Sequence, residues 1–315
     1  MGEYDLRSET DIGFLLDFFI LNTTFAPFIK RGFFMINLNG NIVENEEATI
    51  TVYNRGLAYG DSVFETIRVI SGKIMFWEDH YFRLMASMRI MRMEIPENFS
   101  PEFLEKQILN LIKENLLENS PARIKFTVYR KQGGYYKPDS LDIDYFILAE
   151  ELKDPFYLLN SEAYEIELFK DHYITSGLLS SIKSNNRAVN VLGSIYAKEN
   201  QYDNCLLLNE NKAVVEALNG NIFLVKDGKI KTPPVTEGAL NGIIRKQVIS
   251  IVKKMMDLEI EEASISPFEL QKADELFITN VIVGIQPITK YRKKEFGSEV
   301  AKEILSKLNV KARLT

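Results

Sequence analysis

The chain has 315 residues, of which 46% are apolar and 26% charged, and its formal net charge is −6. This is the balance of a soluble globular protein long enough for two compact domains, and the negative charge argues against a general nucleic-acid binder. Cys205 is the sole cysteine, which excludes an intrachain disulfide and indicates a reducing, cytoplasmic compartment. With only His80 and His172 beside it, a Cys/His zinc site is not expected.

The first 34 residues differ in composition from the rest of the chain. Residues 13–29 are apolar and aromatic, but Asp17 and several polar residues interrupt them, so the stretch is too broken for a membrane span. The acidic start without a basic region argues against a signal peptide. Because Met35 opens a sequence typical of a domain start, MINLNGNIV, two interpretations stay open: residues 1–34 are an extra docking helix, or an extension upstream of the native product.

Residues 35–152 are predicted to form a small N-terminal domain with strands and helices mixed. The dipeptides Asn39-Gly40 and Ser71-Gly72 each lie between short apolar runs, which predicts two hairpins, one of strands 35–38 and 41–43 and one of strands 63–70 and 73–76. Apolar residues recur at helical spacing over residues 78–93, and Ser100 followed by a proline predicts the start of a second helix over 101–117. Two further strands are predicted at residues 123–129 and 145–150.

Residues 156–315 are predicted to form the larger domain, which follows a connection at Lys153-Asp154-Pro155. Asp227-Gly228 indicates another hairpin, and the helical runs cover residues 186–201, 242–256, 266–272 and 300–308. Strands are predicted at residues 163–169, 205–208, 213–217, 222–225 and 229–231.

Four segments carry the functional signal: RGLAYGDSVFETIR at 55–68, IKSNNR at 182–187, EALNGNIFLVKDGKIKTP at 216–233 and EGALNGIIR at 237–245. In this order and with these gaps they resemble the class IV aminotransferase family, which includes branched-chain aminotransferases, D-amino acid aminotransferases and aminodeoxychorismate lyases. The resemblance covers residues 35 to about 308. It implies a fold-type IV pyridoxal-phosphate enzyme of α+β class, with a small N-terminal α/β domain, a larger C-terminal pseudo-barrel domain, and a homodimer.

The resemblance assigns the cofactor's reactive end to two residues. Pyridoxal 5′-phosphate needs one lysine amine, which forms a Schiff base and later moves a proton at the substrate α-carbon. Lys183, placed just before a predicted helix, matches that lysine. A carboxylate must keep the pyridine nitrogen protonated so that the ring can act as an electron sink, and Glu216, near the end of a predicted strand, matches that carboxylate.

The resemblance also assigns the residues around the cofactor phosphate. A helix that begins after Gly242 leaves its first backbone amides free to bind an anion, and Arg83 matches the family's phosphate arginine. Val281 stands where branched-chain enzymes often carry a threonine, so one side-chain hydrogen bond is missing from the pattern. The expected cofactor-binding set is Arg83, Lys183, Glu216, Asn221, Gly242, Ile243, Ile244, Asn280, Val281 and Ile282.

The substrate pocket is less well defined. By the resemblance Tyr59, Phe64 and Arg68 match positions that line it, Lys125 falls where branched-chain enzymes carry an arginine, and Tyr135 replaces an arginine of the lyase loop. Phe64 and Tyr135 can equally be packing residues. The loop at residues 133–137 lacks the arginine and histidine used by D-amino acid enzymes, so specificity for D-amino acids is not expected.

Three functional hypotheses follow. The first is transamination between an amino acid, which could be branched-chain, and a 2-oxo acid. The second is a lyase that releases pyruvate from 4-amino-4-deoxychorismate, a pattern that Asn186-Arg187 and Arg68-Val69 resemble. The third is a relative that has lost catalysis, against which the intact Lys183, Glu216 and Gly242 turn argue. The expected partners are small amino and oxo acids, without nucleic acid, membrane or metal.

Overall fold

The computed structural model describes residues 34–314, and Met35–Thr315 forms one compact unit. The two interpretations of the first 34 residues therefore concern a part of the chain that lies, apart from Phe34, outside the described residues. Among the helices of residues 34–314, none has the length and apolar character needed to cross a membrane.

A six-stranded antiparallel sheet forms the first half, in the order β2-β1-β6-β5-β3-β4. Its core side is covered by two helices, where Ile67, Leu104 and Ile124 pack in one apolar cluster. The elements are β1 Met35–Leu38, β2 Asn41–Glu44, α1 Arg55–Tyr59, β3 Ser62–Ile70, β4 Lys73–Ile74, α2 Trp77–Ile90, α3 Pro101–Glu114, β5 Ala122–Arg130 and β6 Ile143–Glu151.

Two five-stranded sheets form the second half, in the orders β12-β11-β10-β13-β14 and β16-β15-β7-β8-β9. The elements are β7 Glu165–Ile174, α4 Ala188–Glu199, β8 Asn204–Asn209, β9 Val214–Ala217, β10 Asn221–Lys226, β11 Lys229–Thr232, a short 3-10 helix Val235–Glu237, α5 Ile243–Val252, β12 Glu259–Glu262, α6 Pro267–Leu270, β13 Glu275–Asn280, β14 Gly284–Ile288, β15 Lys290–Tyr291, β16 Lys294–Glu295 and α7 Glu299–Leu314.

The two C-terminal sheets share one apolar core, which gives this half its barrel-like form. Ile166 and Leu206 of one sheet pack in the same cluster as Ile222 and Leu276 of the other. The opposite face of the β10-containing sheet is covered by α5 and α7, where Phe223 stacks on Phe277 with ring centroids 5.0 Å apart. This packing places the ends of β9 and β13 beside the start of α5.

Most predicted elements are present; helices α2 to α6 end earlier than predicted, whereas α7 and the strands β5 to β8 and β10 extend further than predicted. Ser100 caps α3 as expected, because its hydroxyl accepts the Phe103 amide at 3.2 Å and Pro101 occupies the first turn. The strand predicted at residues 73–76 stops at Ile74, since Phe76 adopts a left-handed conformation with φ of 53° before α2. The short helix α1 and the strands from β12 to β16 were not predicted.

Candidate active site

One cavity of about 540 Å³ lies where the two halves meet. Its walls come from β3, from the segment before α4, from β9, from the first turn of α5 and from the loop that follows β13. Lys183, Arg83 and Glu216, which the sequence places far apart, all line it. The cavity therefore brings together the amine, the guanidinium and the carboxylate that the sequence singled out.

Lys183 is held against β3 by strand-like pairing of its own segment. Its carbonyl accepts the Phe64 amide at 2.8 Å, and Asn185 donates to the Ser62 carbonyl at 3.1 Å. The amine Nζ lies 4.5 Å from the centroid of the Phe64 ring. Burial and, to a smaller extent, the positive charges of Arg83 and Arg187 lower the pKa of Lys183 to about 7, although the charges of Glu65 and Glu216 oppose the change. Above this pH the amine is neutral and can act as a nucleophile or a base.

Glu216 is a buried carboxylate on β9, where it pairs with Leu207 of β8. Its Oε2 accepts the backbone amide of Leu240 at 2.9 Å, which ties β9 to the turn before α5. Burial raises the pKa of Glu216, while the charge of Arg187, the Leu240 amide and the charge of Lys183 oppose the rise. The cavity thus holds a desolvated acid that has a cationic neighbour but no direct ion pair among the described residues.

The first turn of α5 lies at one end of the cavity. Gly242 is the N-cap residue and provides no side-chain acceptor, so the amides of Ile243 and Ile244 begin the helix without a side-chain cap. Asn221 of β10 donates from Nδ2 to the Leu240 carbonyl at 2.8 Å, and this bond holds the turn before α5 against β10. Gly242, Ile243 and Ile244 all line the cavity, as does Asn221.

Gly242 is required for a steric reason, since a Cβ at this position would lie 1.9 Å from Oδ1 of Asn221. We expect Gly242→Ala to displace Asn221 and the α5 turn, with a cost of about 1–3 kcal/mol typical of overpacking. Cofactor affinity, measured by fluorescence titration, and the unfolding temperature should both fall. Gly177→Ala is the matched control, because a Cβ there meets nothing within 4 Å. Equal affinities for the two variants would contradict this account of the turn.

Arg83 reaches the same end of the cavity from α2. Its Nε donates to Glu65 Oε1 at 2.7 Å and its Nη2 to Glu65 Oε2 at 2.5 Å. Its Nη1 donates to the carbonyl of Asn241, immediately before the N-cap of α5, at 2.9 Å. The guanidinium therefore lies beside the α5 amides, and the two together offer a positive charge and N–H donors to one anion.

The loop after β13 differs in detail from expectation. Asn280 Oδ1 accepts the amides of Ile282 and Val283, both at 3.0 Å, so the Ile282 amide already has an acceptor and does not point freely at a phosphate. The Val281 carbonyl accepts the Tyr157 hydroxyl at 3.1 Å. Asn280 therefore shapes this loop. Of the two amides expected to bind the phosphate, those of Val281 and Ile282, these bonds leave only the Val281 amide available.

Arg68 lies outside the cavity, in contrast to the expected substrate contact. Its buried guanidinium donates to the backbone carbonyls of Asp154 and Ile282 and stacks 5.0 Å from the Tyr157 ring centroid. The side chain thus joins β3 to the connection between the halves and to the loop after β13. The physical reason is that backbone carbonyls surround the Nη1 and Nη2 donors of this arginine, so these donors are satisfied there rather than in the cavity.

The other expected substrate residues are divided between the cavity and the surface. Phe64 lines the cavity, and Lys125 lies against the Phe64 ring with Nζ 5.6 Å from its centroid. Tyr59 and Tyr135 do not line the cavity of this chain; Tyr135 is 84% exposed, and Tyr59 packs on Tyr136 with centroids 5.6 Å apart.

Several residues that line the cavity were not predicted as site residues, and two of them, Arg187 and Thr279, have polar side chains that bear on its chemistry. Arg187 donates from Nε to the Ser184 carbonyl at 3.1 Å and from Nη2 to the Ile182 carbonyl at 2.9 Å, which wraps it around the Lys183 segment. Thr279 of β13 has a buried hydroxyl without a partner among residues 34–314. The position of Arg187 four residues after Lys183 was an available signal, whereas Thr279 had none.

Comparisons with known proteins agree with this geometry. The sequence model of the family described as amino-transferase class IV matches residues 62–291. The chain belongs to the class IV aminotransferases. A Methanocaldococcus jannaschii protein provisionally named a branched-chain-amino-acid aminotransferase is 31% identical over 278 residues, which cover 88% of this chain and 94% of that protein. A D-alanine aminotransferase of Listeria monocytogenes is 28% identical over 256 residues, covering 80% of this chain and 86% of the relative.

Solved structures of class IV aminotransferases share the fold. The branched-chain aminotransferase of Thermoproteus uzoniensis with norvaline has a TM-score of 0.78 and 27% identity, covering 88% of this chain and 93% of its own. That of Thermobaculum terrenum in its pyridoxal-phosphate form has a TM-score of 0.76 and 25% identity, covering 87% and 92%. The expected fold-type IV architecture is confirmed.

Class IV aminotransferases are transaminases that depend on pyridoxal 5′-phosphate, and the cavity fits this group. An amine with a lowered pKa, a buried carboxylate and an uncapped helix start with an adjacent arginine line one space. Gly242 has no side chain, and a Cβ there would clash with Asn221. The backbone amides of this turn therefore remain accessible to a ligand. The buried hydroxyl of Thr279 is a further donor for a polar ligand.

Proposed function

We propose that the chain transfers an amino group between an amino acid with an apolar side chain, such as a branched-chain amino acid, and a 2-oxo acid. The observation that carries this proposal is the single cavity shared by Lys183, Glu216 and the first turn of α5, with the Phe64 ring beside the amine. Pyridoxal phosphate, when bound, supplies an electron sink for the electrons of the substrate α-carbon. The protein residues bind it and move the proton.

Each residue has a defined task in this proposal. Lys183 would bind the cofactor covalently until the amino group of the substrate displaces its amine; the freed Nζ would then take the proton from the substrate α-carbon and deliver it to C4′ of the cofactor. Glu216 places a negative charge at the ring nitrogen. Arg83 and the amides of Ile243 and Ile244 bind the phosphate, which anchors the cofactor while its covalent partner changes.

The apolar preference rests on the wall around Lys183. Phe64, Leu152, Leu240 and Val283 line the cavity near its charged groups, and apolar walls favour apolar ligand side chains. Named relatives include both branched-chain and D-alanine aminotransferases. The loop at residues 133–137 reads GGYYK, without the arginine and histidine expected for D-amino acid enzymes, so the L-branched-chain class is proposed.

An amino-donor screen with 2-oxoglutarate tests the proposal. L-leucine, L-isoleucine and L-valine should produce glutamate faster than D-alanine, L-aspartate or L-lysine, because charged side chains lose hydration in an apolar pocket. A kcat/KM ratio of at least about 10 is expected, since each buried methylene contributes on the order of 1 kcal/mol. Preference for D-alanine would overturn the substrate class while preserving transamination.

The lyase is a second candidate because Arg187 lines the cavity beside Glu216. A substrate with two carboxylates, such as 4-amino-4-deoxychorismate, could use Arg187 as a cationic partner. Pyruvate release from that substrate without an oxo acid would support the lyase. Glutamate formation from the donor screen without pyruvate release would eliminate it.

We also propose a cytoplasmic homodimer. On α4 the side chains of Val191, Leu192 and Ile195 are exposed together, and such a patch suits a subunit interface. Arg55 donates from Nη1 to the Gly133 and Tyr135 carbonyls at 3.0 and 2.6 Å, so the loop that presents exposed tyrosines has a fixed shape. Sedimentation equilibrium should give twice the chain mass of 36.2 kDa; a single-chain mass at micromolar concentration would contradict the dimer.

A further inference from the structure

Beneath the phosphate end of the cavity lies a buried carboxylate that does not line the cavity. Glu65 of β3 is 1% exposed. It accepts three hydrogen bonds: from Arg83 Nε at 2.7 Å, from Arg83 Nη2 at 2.5 Å, and from Nδ1 of His80 at 2.7 Å. The bond from His80 has this direction because an ionised carboxylate can only accept.

In this cluster Glu65 is ionised and His80 is neutral at neutral pH. Burial alone would raise the pKa of Glu65, but the charge and hydrogen bonds of Arg83 and the contact with His80 lower it to about 2. Burial lowers the pKa of His80 although Glu65 opposes the change, so the ring is neutral at neutral pH. Nε2 of His80 has no hydrogen-bond partner in the described part of the chain. The hydrogen bond from Nδ1 to Glu65 is therefore the polar contact that the ring makes there.

Counting donors shows what this arrangement does to Arg83. A guanidinium has five N–H donors. Glu65 takes two of them and the Asn241 carbonyl takes one. One N–H donor remains on Nη1 and one on Nη2, and Arg83 lines the cavity. The bidentate pair prevents rotation of the guanidinium plane, so these two donors keep a fixed direction.

Charge alone does not explain Glu65. A carboxylate close to a phosphate site repels the phosphate, and this repulsion is stronger in a low-dielectric interior than in water. Burying the carboxylate also has a desolvation cost, which the pairing with Arg83 offsets only when the geometry is good. A residue with these two costs is explained if it orients Arg83, because a fixed bidentate donor edge binds phosphate better than a mobile one.

We propose that Glu65, supported by His80, is the positioning residue that aims Arg83 at the cofactor phosphate beside the α5 amides. The inference rests on the proposed binding of pyridoxal phosphate in this cavity. Glu65 acts on the phosphate through Arg83 and does not line the cavity, while its charge also opposes the lowering of the Lys183 pKa. Its loss should therefore weaken recognition of the phosphate group and leave attachment of the ring at Lys183 nearly unchanged.

Comparing pyridoxal phosphate with pyridoxal, which lacks the phosphate, tests this selectively. In Glu65→Gln the side-chain amide nitrogen faces an N–H of Arg83, so one of the paired bonds becomes a contact between two donors. We expect the dissociation constant of pyridoxal phosphate to rise by about 10-fold or more, the usual effect of losing a charged hydrogen bond. The dissociation constant of pyridoxal should change by less than about 2-fold, because pyridoxal has no phosphate for Arg83 to contact.

Two comparisons make the result decisive. Glu303→Gln removes a carboxylate from an exposed pair with Lys307 and should change neither dissociation constant. His80→Leu is the second variant if Glu65→Gln does not fold, and it should weaken binding of the phosphorylated cofactor more than that of pyridoxal. Equal weakening of both cofactors, or no change in either, would overturn the positioning role. Wild-type protein that binds neither compound would instead overturn the cofactor site itself.

Discussion

Lys183→Met is expected to abolish transamination and the visible absorbance of the Schiff base between the protein and its cofactor. The variant keeps an unbranched apolar side chain against Phe64 but loses the nucleophile and the proton carrier. Because proton transfer by a positioned group contributes roughly 10²–10⁴-fold, and covalent capture is lost as well, turnover should fall by more than about 10⁴-fold. Lys125→Met is the matched comparison, since Lys125 also lies against the Phe64 ring; it should keep the absorbance band. A Lys183→Met protein in which borohydride reduction still fixes the cofactor to the chain at this site would refute the assignment.

The same variant allows a test of the amine's pKa. In the folded, cofactor-free protein the pKa of Lys183 is lowered from 10.5 to about 7 by burial and by two arginines. Between these values the unfolded chain binds more protons than the folded chain, so the free energy of unfolding rises with pH from about 7 to 10.5 through this group. The difference in unfolding free energy between wild type and Lys183→Met, measured by urea titration, should follow that rise. A difference independent of pH would contradict the lowered pKa.

Cofactor uptake should have a related pH dependence. The neutral amine is the attacking form, so the rate of cofactor binding to wild-type protein should rise through about pH 7 and then level off, as the pKa of Lys183 requires. Stopped-flow absorbance measures this rate.

The cofactor end of the site could be predicted because its residues belong to short segments with a local reason for their position. Gly242 precedes a helix whose amphipathic pattern is visible in the sequence, and Lys183 lies just before another. Glu216 lies at the end of a run of apolar residues. Each of these local features is preserved on folding, and the family spacing relates one to another.

The substrate side could not be predicted in the same way because it depends on distant contacts. Arg68 finds its carbonyl acceptors 86 and 214 residues further along the chain, and no local pattern indicates that pairing. Likewise β14 contains Pro287, which weakens the strand signal; it is tolerated because β14 is at the edge of its sheet. The parallel pairs β7–β8 and β11–β12 are long-range as well.

Glu216→Gln should lower kcat by about 10²–10³-fold, the usual effect of removing one preorganised electrostatic group. The glutamine oxygen can still accept the Leu240 amide, a bond of 2.9 Å in the native protein, so the turn before α5 should be kept and only the charge lost. Cofactor absorbance should therefore persist, with KM little changed, in steady-state kinetics with the best donor. A kcat within twofold of wild type would eliminate Glu216 as the partner of the ring nitrogen.

Arg187→Met gives an independent measure of the same charge. Burial raises the pKa of Glu216 and the Arg187 charge opposes this rise, so removing the arginine should raise that pKa further. Activity that needs ionised Glu216 would then be lost at a higher pH, which moves the acidic limb of the kcat profile upward. The same substitution should raise the pKa of Lys183, because the charge of Arg187 is one of the causes that lower it. Because both groups act in their deprotonated forms, both changes should move the acidic limb of the profile to higher pH. This is the result expected if Arg187 lowers the pKa of both Lys183 and Glu216.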